Sequence, residues 1–177
     1  MKKEFIAQIK EKLSQNIDQL TIQYREGHTG TRTKFFILDN LIDNESVKSI
    51  YKKFDGDYWI LEDTFREKKL TYAKLDNLDP ILSNITEAFH DKEIVSLVSK
   101  ITGVNNLEYD PSLYAGGISK MRKGDFLNPH IDNSHDGGRK RYRRLNLLFY
   151  VSPGLEEKHG GNFELWDDKV KYPVKIP

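Results

Sequence analysis

Two side chains with metal-binding chemistry stand two positions apart in His130-Ile131-Asp132. On an extended backbone, alternate residues point to the same face, so His130 and Asp132 would share one face while Ile131 points into the core. An imidazole nitrogen and a carboxylate oxygen on a common face supply two of the three ligands in the facial triad that binds non-haem Fe(II). The same pattern also occurs where a histidine ends a strand and an aspartate opens a turn. These residues alone leave both interpretations open.

Ordered motifs on both sides of the pair favour the iron-binding interpretation. They read Gly124-x-x-Leu127-x-x-His130-x-Asp132, then Arg144-x-Asn146-Leu147-Leu148-Phe149-Tyr150, and finally Gly160-Gly161-x-x-Glu164-Leu165. As a set, they resemble the prolyl-4-hydroxylase-like branch of the 2-oxoglutarate- and Fe(II)-dependent oxygenases. The resemblance covers about Ser112 to Pro177, with weaker agreement from Phe35 onward.

This resemblance implies a fold, a cofactor set and a reaction. The implied fold is α+β with a mainly β core, a double-stranded β-helix of the jelly-roll or cupin type, supported by N-terminal helices. His130 and Asp132 would bind Fe(II), and Tyr150 and Asn146 would lie near the far carboxylate of the cosubstrate 2-oxoglutarate. The implied reaction hydroxylates a small-molecule or peptide substrate and converts 2-oxoglutarate to succinate, with ascorbate as a further candidate cofactor.

The sequence departs from the family pattern in its ligands and in its cosubstrate contacts. The family has a second histidine as third iron ligand, then an arginine or lysine that pairs with 2-oxoglutarate, and neither follows before Pro177. We therefore expect that this chain lacks the last strands of the domain, and that a longer protein or a partner chain completes the site. His135 and His159 are the alternative third ligands. Met121 and Leu127 stand where the family often has tyrosine.

Two other classes of function stay open at this point. A non-catalytic oxygenase-like binding or scaffold protein would explain a missing third ligand. A cupin-type sugar-binding or isomerase domain would share the barrel, but it would carry a richer histidine cluster. Succinate formation that requires added iron would separate an enzyme from a scaffold.

The composition of the chain excludes several classes of function and of metal site. A chain of 177 residues can form one domain with its own core, and a net charge of +1 gives no general attraction to nucleic acid or membrane. The absence of cysteine leaves histidine and carboxylates as metal ligands. The basic run at residues 139–144 is more typical of a solvated strand entry than of a nucleic-acid site. No apolar stretch is long enough for a signal peptide or a membrane span, so we expect a cytoplasmic protein.

The chain divides into three expected segments of a single domain. Residues 1–24 predict one helix, whose apolar stripe either packs on the domain or forms a homodimer. Residues 35–110 predict a strand at Lys34–Leu38, a second strand at Tyr58–Leu61 and support helices. Polar or glycine signals predict the ends of those helices at Asp43 or Asn44, Asp79-Pro80, Asp91 and Gly103.

Residues 111–177 would form the β-helix core with the metal motif. Alternation over residues 144–151 predicts a strand that turns Leu145, Leu147, Phe149 and Val151 towards the helices. Gly116-Gly117 indicates a bulge or a close approach of another backbone or a ligand. Lys169–Ile176 also has a strand-like pattern.

Overall fold

The computed structural model describes residues 1–114, 116–166 and 174–176. Within these residues the helices are α1 (Lys2–Gln15), α2 (Ile17–Glu26), α3 (Asn44–Tyr51), α4 (Pro80–Ala88) and α5 (Lys92–Thr102). The strands are β1 (Ile60–Asp63), β2 (Glu67–Tyr72), β3 (Ile118–Lys120), β4 (Phe126–Leu127), β5 (Phe163–Leu165) and β6 (Val174–Ile176). Short 3-10 turns occupy Lys52–Asp55, Leu75–Asn77 and Glu157–His159. The α+β class is therefore confirmed.

The hydrophobic core is formed by the helices. Helix α1 packs against α4 and α5, and α2 packs against α5. The buried apolar side chains are Phe5, Ile9, Leu13, Leu20, Ile42, Ile50, Leu75, Ile81, Leu82, Ile85, Ala88, Ile94 and Ile101. This core differs from the mainly β core that the resemblance implied, because the sheet is small and the helices bury most of their apolar faces against one another.

The predicted N-terminal helix is interrupted at Asn16. Its side-chain amide donates to the Lys12 carbonyl at 2.8 Å, and its backbone N–H donates to the Leu13 carbonyl at 3.3 Å. An asparagine that bonds to nearby backbone carbonyls offers the chain an alternative to the next helical turn. The stretch expected as one helix is thus α1 followed by α2, and its apolar stripe is buried within the chain.

The predicted helix ends are confirmed. Asp43 accepts from the Ser46 N–H, Asp79 from the Ile81 N–H, and Asp91 from the Glu93 and Ile94 N–H groups. Gly103 ends α5 with φ 68°, a left-handed conformation that glycine adopts without steric cost. Local hydrogen-bonding chemistry decides these positions, which is why the sequence predicts them well.

The sheet is antiparallel and is centred on β2. Strand β1 pairs along one edge of β2, while β3 and β4 pair with the other edge at opposite ends. A Cβ on Gly117 would lie 2.6 Å from the Tyr72 carbonyl oxygen, and Gly117 has φ 119°. The glycine pair therefore marks the close approach of another backbone, which was one of the two predicted alternatives. Strands β5 and β6 form a separate antiparallel pair.

Two predicted strands form no ladder in the described part of the chain. At Lys34–Leu38, the Ile37 N–H donates to the side chain of Gln23 at 2.7 Å instead of to a neighbouring strand. Residues 144–151 also lack strand partners, although Phe149 contacts Phe89 edge to face with ring centroids 5.4 Å apart. Neither segment is a strand in the described part of the chain, because a strand-like sequence pattern identifies an extended chain but not a partner for its backbone.

The double-stranded β-helix is not formed by the residues that the structure describes. The first part of the strand-like Lys169–Ile176 segment, residues 169–173, lies outside those residues, and its end is β6. None of the described helices is both long and apolar enough to cross a membrane.

Candidate metal centre

The structure brings His130 and Asp132 together. Nε2 of His130 lies 3.4 Å from Oδ1 of Asp132, and the two side chains are 28% and 43% exposed. Two ligand atoms at right angles, each bound about 2.1 Å from one metal ion, would lie about 3.0 Å apart. The two atoms are therefore close to the spacing that a shared metal ion requires, and both are open to solvent.

A backbone contact indicates which nitrogen carries the proton in the neutral His130 ring. Nδ1 lies 2.8 Å from the carbonyl oxygen of Asn128. A carbonyl can only accept a hydrogen bond, so Nδ1 carries the proton and Nε2 keeps its lone pair in the neutral imidazole. Metal-binding histidines are oriented in this way, by donating the other ring N–H to a carbonyl or carboxylate.

Asn128 is held in turn by the tip of the β1–β2 hairpin. Its backbone N–H donates to the Arg66 carbonyl, and its side-chain amide donates to the Phe65 carbonyl, both at 2.8 Å. Arg66 pairs with Glu67 at 2.7 Å, and Glu67 is 7% exposed. The hairpin therefore supports the turn that presents His130, although more than sixty positions separate the two in sequence.

The second carboxylate oxygen of Asp132 is already occupied. The side-chain amide of Asn146 donates to Oδ2 at 2.8 Å, and Nη1 of Arg143 lies 3.6 Å from the same oxygen. Nη2 of Arg143 donates to the Tyr114 carbonyl at 3.2 Å, which anchors the guanidinium. Oδ1 is thus the oxygen of Asp132 that faces His130.

Ile131 points away from the core. It is 96% exposed, so the expectation that it packs inward is wrong. The His130-Ile131-Asp132 segment follows Asn128, which is bonded to the hairpin tip, and it is not part of a paired strand.

Neither alternative third ligand joins the pair. The His135 ring packs on Tyr142 with centroids 4.3 Å apart, and Nδ1 of His159 accepts from the Glu156 N–H at 3.1 Å. Among residues 1–114, 116–166 and 174–176, no three histidine, aspartate or glutamate side chains are grouped so that they could hold a metal ion. The described residues therefore supply two ligands and not a complete triad.

The two predicted cosubstrate residues have different surroundings. Asn146 lies against Asp132, whereas Tyr150 is 56% exposed. Partial burial raises the pKa of the Tyr150 phenol. Its hydroxyl is therefore protonated at neutral pH and available as a donor. Met121 and Leu127 are 44% and 43% exposed.

Sequence reasoning missed Asn128 and Arg143. Asn128 acts through its backbone carbonyl and through a hairpin of which only the first strand was predicted, at Tyr58–Leu61. Arg143 belongs to the basic run at residues 139–144, and the sequence predicted the same solvated position for every residue of that run. Only the three-dimensional contact with Asp132 separates Arg143 from its neighbours.

Comparison with protein families gives one match for this region. The family model described as the 2OG-Fe(II) oxygenase superfamily matches residues 116–177, about a third of the chain. The match supports a 2OG-Fe(II) oxygenase superfamily member. Comparisons with curated proteins and with solved structures gave no significant match. The matched region contains His130, Asp132, Asn146 and Tyr150, and the superfamily name gives the metal as Fe(II) and the cosubstrate as 2-oxoglutarate.

The donor atoms fit the metal of a 2OG-Fe(II) oxygenase. A neutral imidazole nitrogen and a carboxylate oxygen are two members of the facial triad that binds non-haem Fe(II) and leaves the other positions open. Each donor is held by a hydrogen bond on its far side, from His130 to Asn128 and from Asn146 to Asp132. The positions of His130 and Asp132 are therefore compatible with one shared metal ion.

Proposed function

We propose that this chain contains the iron-binding part of a 2-oxoglutarate- and Fe(II)-dependent dioxygenase of the prolyl-4-hydroxylase-like branch. The enzyme hydroxylates a small-molecule or peptide substrate and converts 2-oxoglutarate to succinate. The observation that carries this proposal is the 3.4 Å approach of His130 Nε2 to Asp132 Oδ1, within the region that the superfamily model matches.

In this proposal, the protein holds the metal and controls its surroundings. His130 and Asp132 are ligands, and a residue other than those described supplies the third. When bound, the iron supplies oxygen activation coupled to oxidation of 2-oxoglutarate, with ascorbate as a candidate reductant. The chain's own residues orient the ligands and the cosubstrate. Tyr150 contributes a protonated hydroxyl that donates to the far carboxylate of 2-oxoglutarate.

We also propose that residues 144–151 become a strand of a double-stranded β-helix when further strands are present. Their alternation has the period of a strand. Phe149 and Val151 already pack against the helical core, while Leu147 and Leu148 are 55% and 51% exposed. Apolar side chains on an extended segment without a ladder are consistent with an incomplete sheet.

Metal binding and cosubstrate turnover test this function together. We expect the chain to bind Fe(II) under anaerobic conditions, and the completed enzyme to form succinate from 2-oxoglutarate only when iron is present. His130→Ala and Asp132→Ala should each abolish metal binding. His28→Ala and Asp57→Ala are matched controls, because both residues lie in loops distant in sequence from the motif, and they should bind Fe(II) like the parent chain.

Each result has a separate meaning. Unchanged Fe(II) affinity in both ligand variants would overturn the metal assignment. Metal binding that depends on His130 and Asp132 without any succinate formation would indicate an oxygenase-like protein that binds metal but does not catalyse the reaction.

A further inference from the structure

The contact between Asn146 and Asp132 constrains what Asn146 can do. An ionised carboxylate only accepts hydrogen bonds, so the amide nitrogen of Asn146, and not its oxygen, must face Oδ2. One of its N–H groups is used in this contact at 2.8 Å. The second N–H and the amide oxygen lie outside this contact, and the oxygen would repel a second carboxylate. While it holds Asp132, Asn146 therefore has at most one N–H left to offer the far end of 2-oxoglutarate.

The contact also selects one of two equivalent oxygens. Rotation of the Asp132 carboxylate about its Cβ–Cγ bond would turn Oδ1 away from His130, until a half-turn brought the equivalent Oδ2 to the same place. The hydrogen bond from Asn146 opposes this rotation because it is directional. Arg143 lies 3.6 Å from Oδ2 and adds attraction with little directionality, since that distance is beyond a hydrogen bond.

Asn146 and Arg143 approach Asp132 from one side. Arg143 lies near the end of the basic run and Asn146 follows that run. The segment is fixed at Arg143 by its bond to the Tyr114 carbonyl at 3.2 Å. The Arg143 N–H also donates to the Ser134 carbonyl at 2.9 Å. The amide of Asn146 is therefore presented to Asp132 by an anchored backbone.

We propose that Asn146 is a positioning residue of the metal centre, which holds Asp132 so that Oδ1 faces His130 Nε2, and that it is not a contact of 2-oxoglutarate. This inference rests on the proposed function, because it assumes that His130 and Asp132 bind a metal. In this inference Asn146 supports the metal ligand Asp132, and Tyr150 is the residue of this segment that contacts the cosubstrate.

Co(II) alone is a suitable probe, because its visible absorption reports the geometry of its ligands and it is stable in air. The parent chain, Asn146→Ala and the control Asn105→Ala are titrated with Co(II) and then, at saturating Co(II), with 2-oxoglutarate. Asn105 lies exposed in the loop after α5. We expect Asn146→Ala to weaken Co(II) binding by about ten- to a hundredfold, as is usual when a partner of a metal ligand is removed, and to alter the Co(II) spectrum.

The affinity of the Co(II)-loaded protein for 2-oxoglutarate should be the same in the parent and in Asn146→Ala. Asn105→Ala should match the parent in both titrations. Because Asn146 is exposed, we expect the urea midpoint of Asn146→Ala to equal that of the parent, which separates positioning from folding.

The opposite pattern would overturn the inference. Normal Co(II) affinity with weakened 2-oxoglutarate binding would make Asn146 a cosubstrate contact, and no change in either titration would make it a bystander. A parent chain that binds no Co(II) would contradict the proposed function itself and this inference with it. Weak Co(II) binding in Asn146→Ala, with normal binding in the parent chain and in Asn105→Ala, supports both the proposed function and this inference.

Discussion

The helical region and the motif region of this chain are held together differently. In residues 2–102, apolar side chains from all five helices meet in one core. In the described residues 116–166, no apolar side chain is buried, and the positions of His130 and Asp132 depend on hydrogen bonds that involve Asn128, Asn146 and the hairpin tip. Apolar burial builds the scaffold, whereas polar contacts and turns place the candidate ligands.

This difference has an energetic consequence. Burying a leucine or isoleucine side chain contributes about 1.5–3 kcal/mol, whereas a hydrogen bond exchanged with water contributes about 0.5–1.5 kcal/mol. The helical scaffold should therefore contribute more to the free energy of unfolding than the motif region does. Each variant below affects one region and should leave the other unchanged.

The largest expected effect comes from the helical core. Leu82 in α4 is 1% exposed, and Leu82→Ala should lower the free energy of unfolding by about 2–5 kcal/mol, because it removes buried contacts and leaves a cavity. The matched control in the motif region is Leu148→Ala, at a residue that is 51% exposed. Its effect should stay within about 0.5 kcal/mol. Urea unfolding measures both, and equal losses would show that the two regions share one core.

A metal ion should stabilise the motif region and not the helices. At a Co(II) concentration one hundred times Kd, opening of the site should cost an additional 2.7 kcal/mol or so. We expect amide hydrogen exchange to slow at residues 128–132 and 143–146, while exchange in α4 and α5 stays the same. His130→Ala should remove the protection. Slower exchange throughout the helices would mean that metal binding is coupled to the whole fold.

Sequence patterns predicted the helical region well because its signals are local. Asp43, Asp79 and Asp91 accept from backbone N–H groups two or three positions further on, and Gly103 ends α5 by its own φ. The break at Asn16 shows the limit, since an apolar stripe continues through a residue whose amide turns back to the backbone. Hydrophobic periodicity does not show where a side chain competes with the backbone for the hydrogen bonds of a helix.

In the motif region, the approach of His130 to Asp132 was predicted better than the backbone that carries them. The spacing of His130 and Asp132 correctly predicted that they share a face. The exposure of Ile131 and the contact of Asn146 with Asp132 could not be read from spacing. They depend on a hairpin at residues 60–72, of which only the first strand was predicted, and on pairing between segments far apart in the chain.

Two aspartates, one in each region, allow a second comparison of how much the helical region and the motif region contribute to stability, with smaller expected effects. Asp91 caps α5, and Asp91→Ala should destabilise the protein by about 1 kcal/mol, the usual cost of a lost helix cap. Asp136 accepts from the Lys140 N–H at 2.8 Å in the basic turn. Asp136→Ala should change global unfolding by less than about 0.5 kcal/mol. Urea unfolding again measures both, and a reversed order would contradict the assignment of stability to the helices.

The smallest expected effect is a pH dependence within the helical region. Hydrogen bonds from the Ser46 hydroxyl, the Ser46 N–H and the Gln8 amide lower the pKa of Asp43 from 3.8 to about 2. A carboxyl whose pKa is lower in the folded state adds stability above its unfolded pKa, and this stability is lost as the pH falls through the folded pKa. The contribution of Asp43 should therefore be complete above pH 4 and disappear towards pH 2.

Asp43→Asn isolates this contribution, because asparagine also caps helices but cannot ionise. We expect the parent to exceed the variant by less than about 1 kcal/mol at neutral pH, since Asp43 is exposed to solvent. Urea unfolding of both proteins between pH 7 and pH 2 should show the gap closing below pH 4, while the other carboxylates titrate alike in the two chains. A gap that stays constant over this range would mean that Asp43 joins α1 to α3 through its geometry and not through its charge.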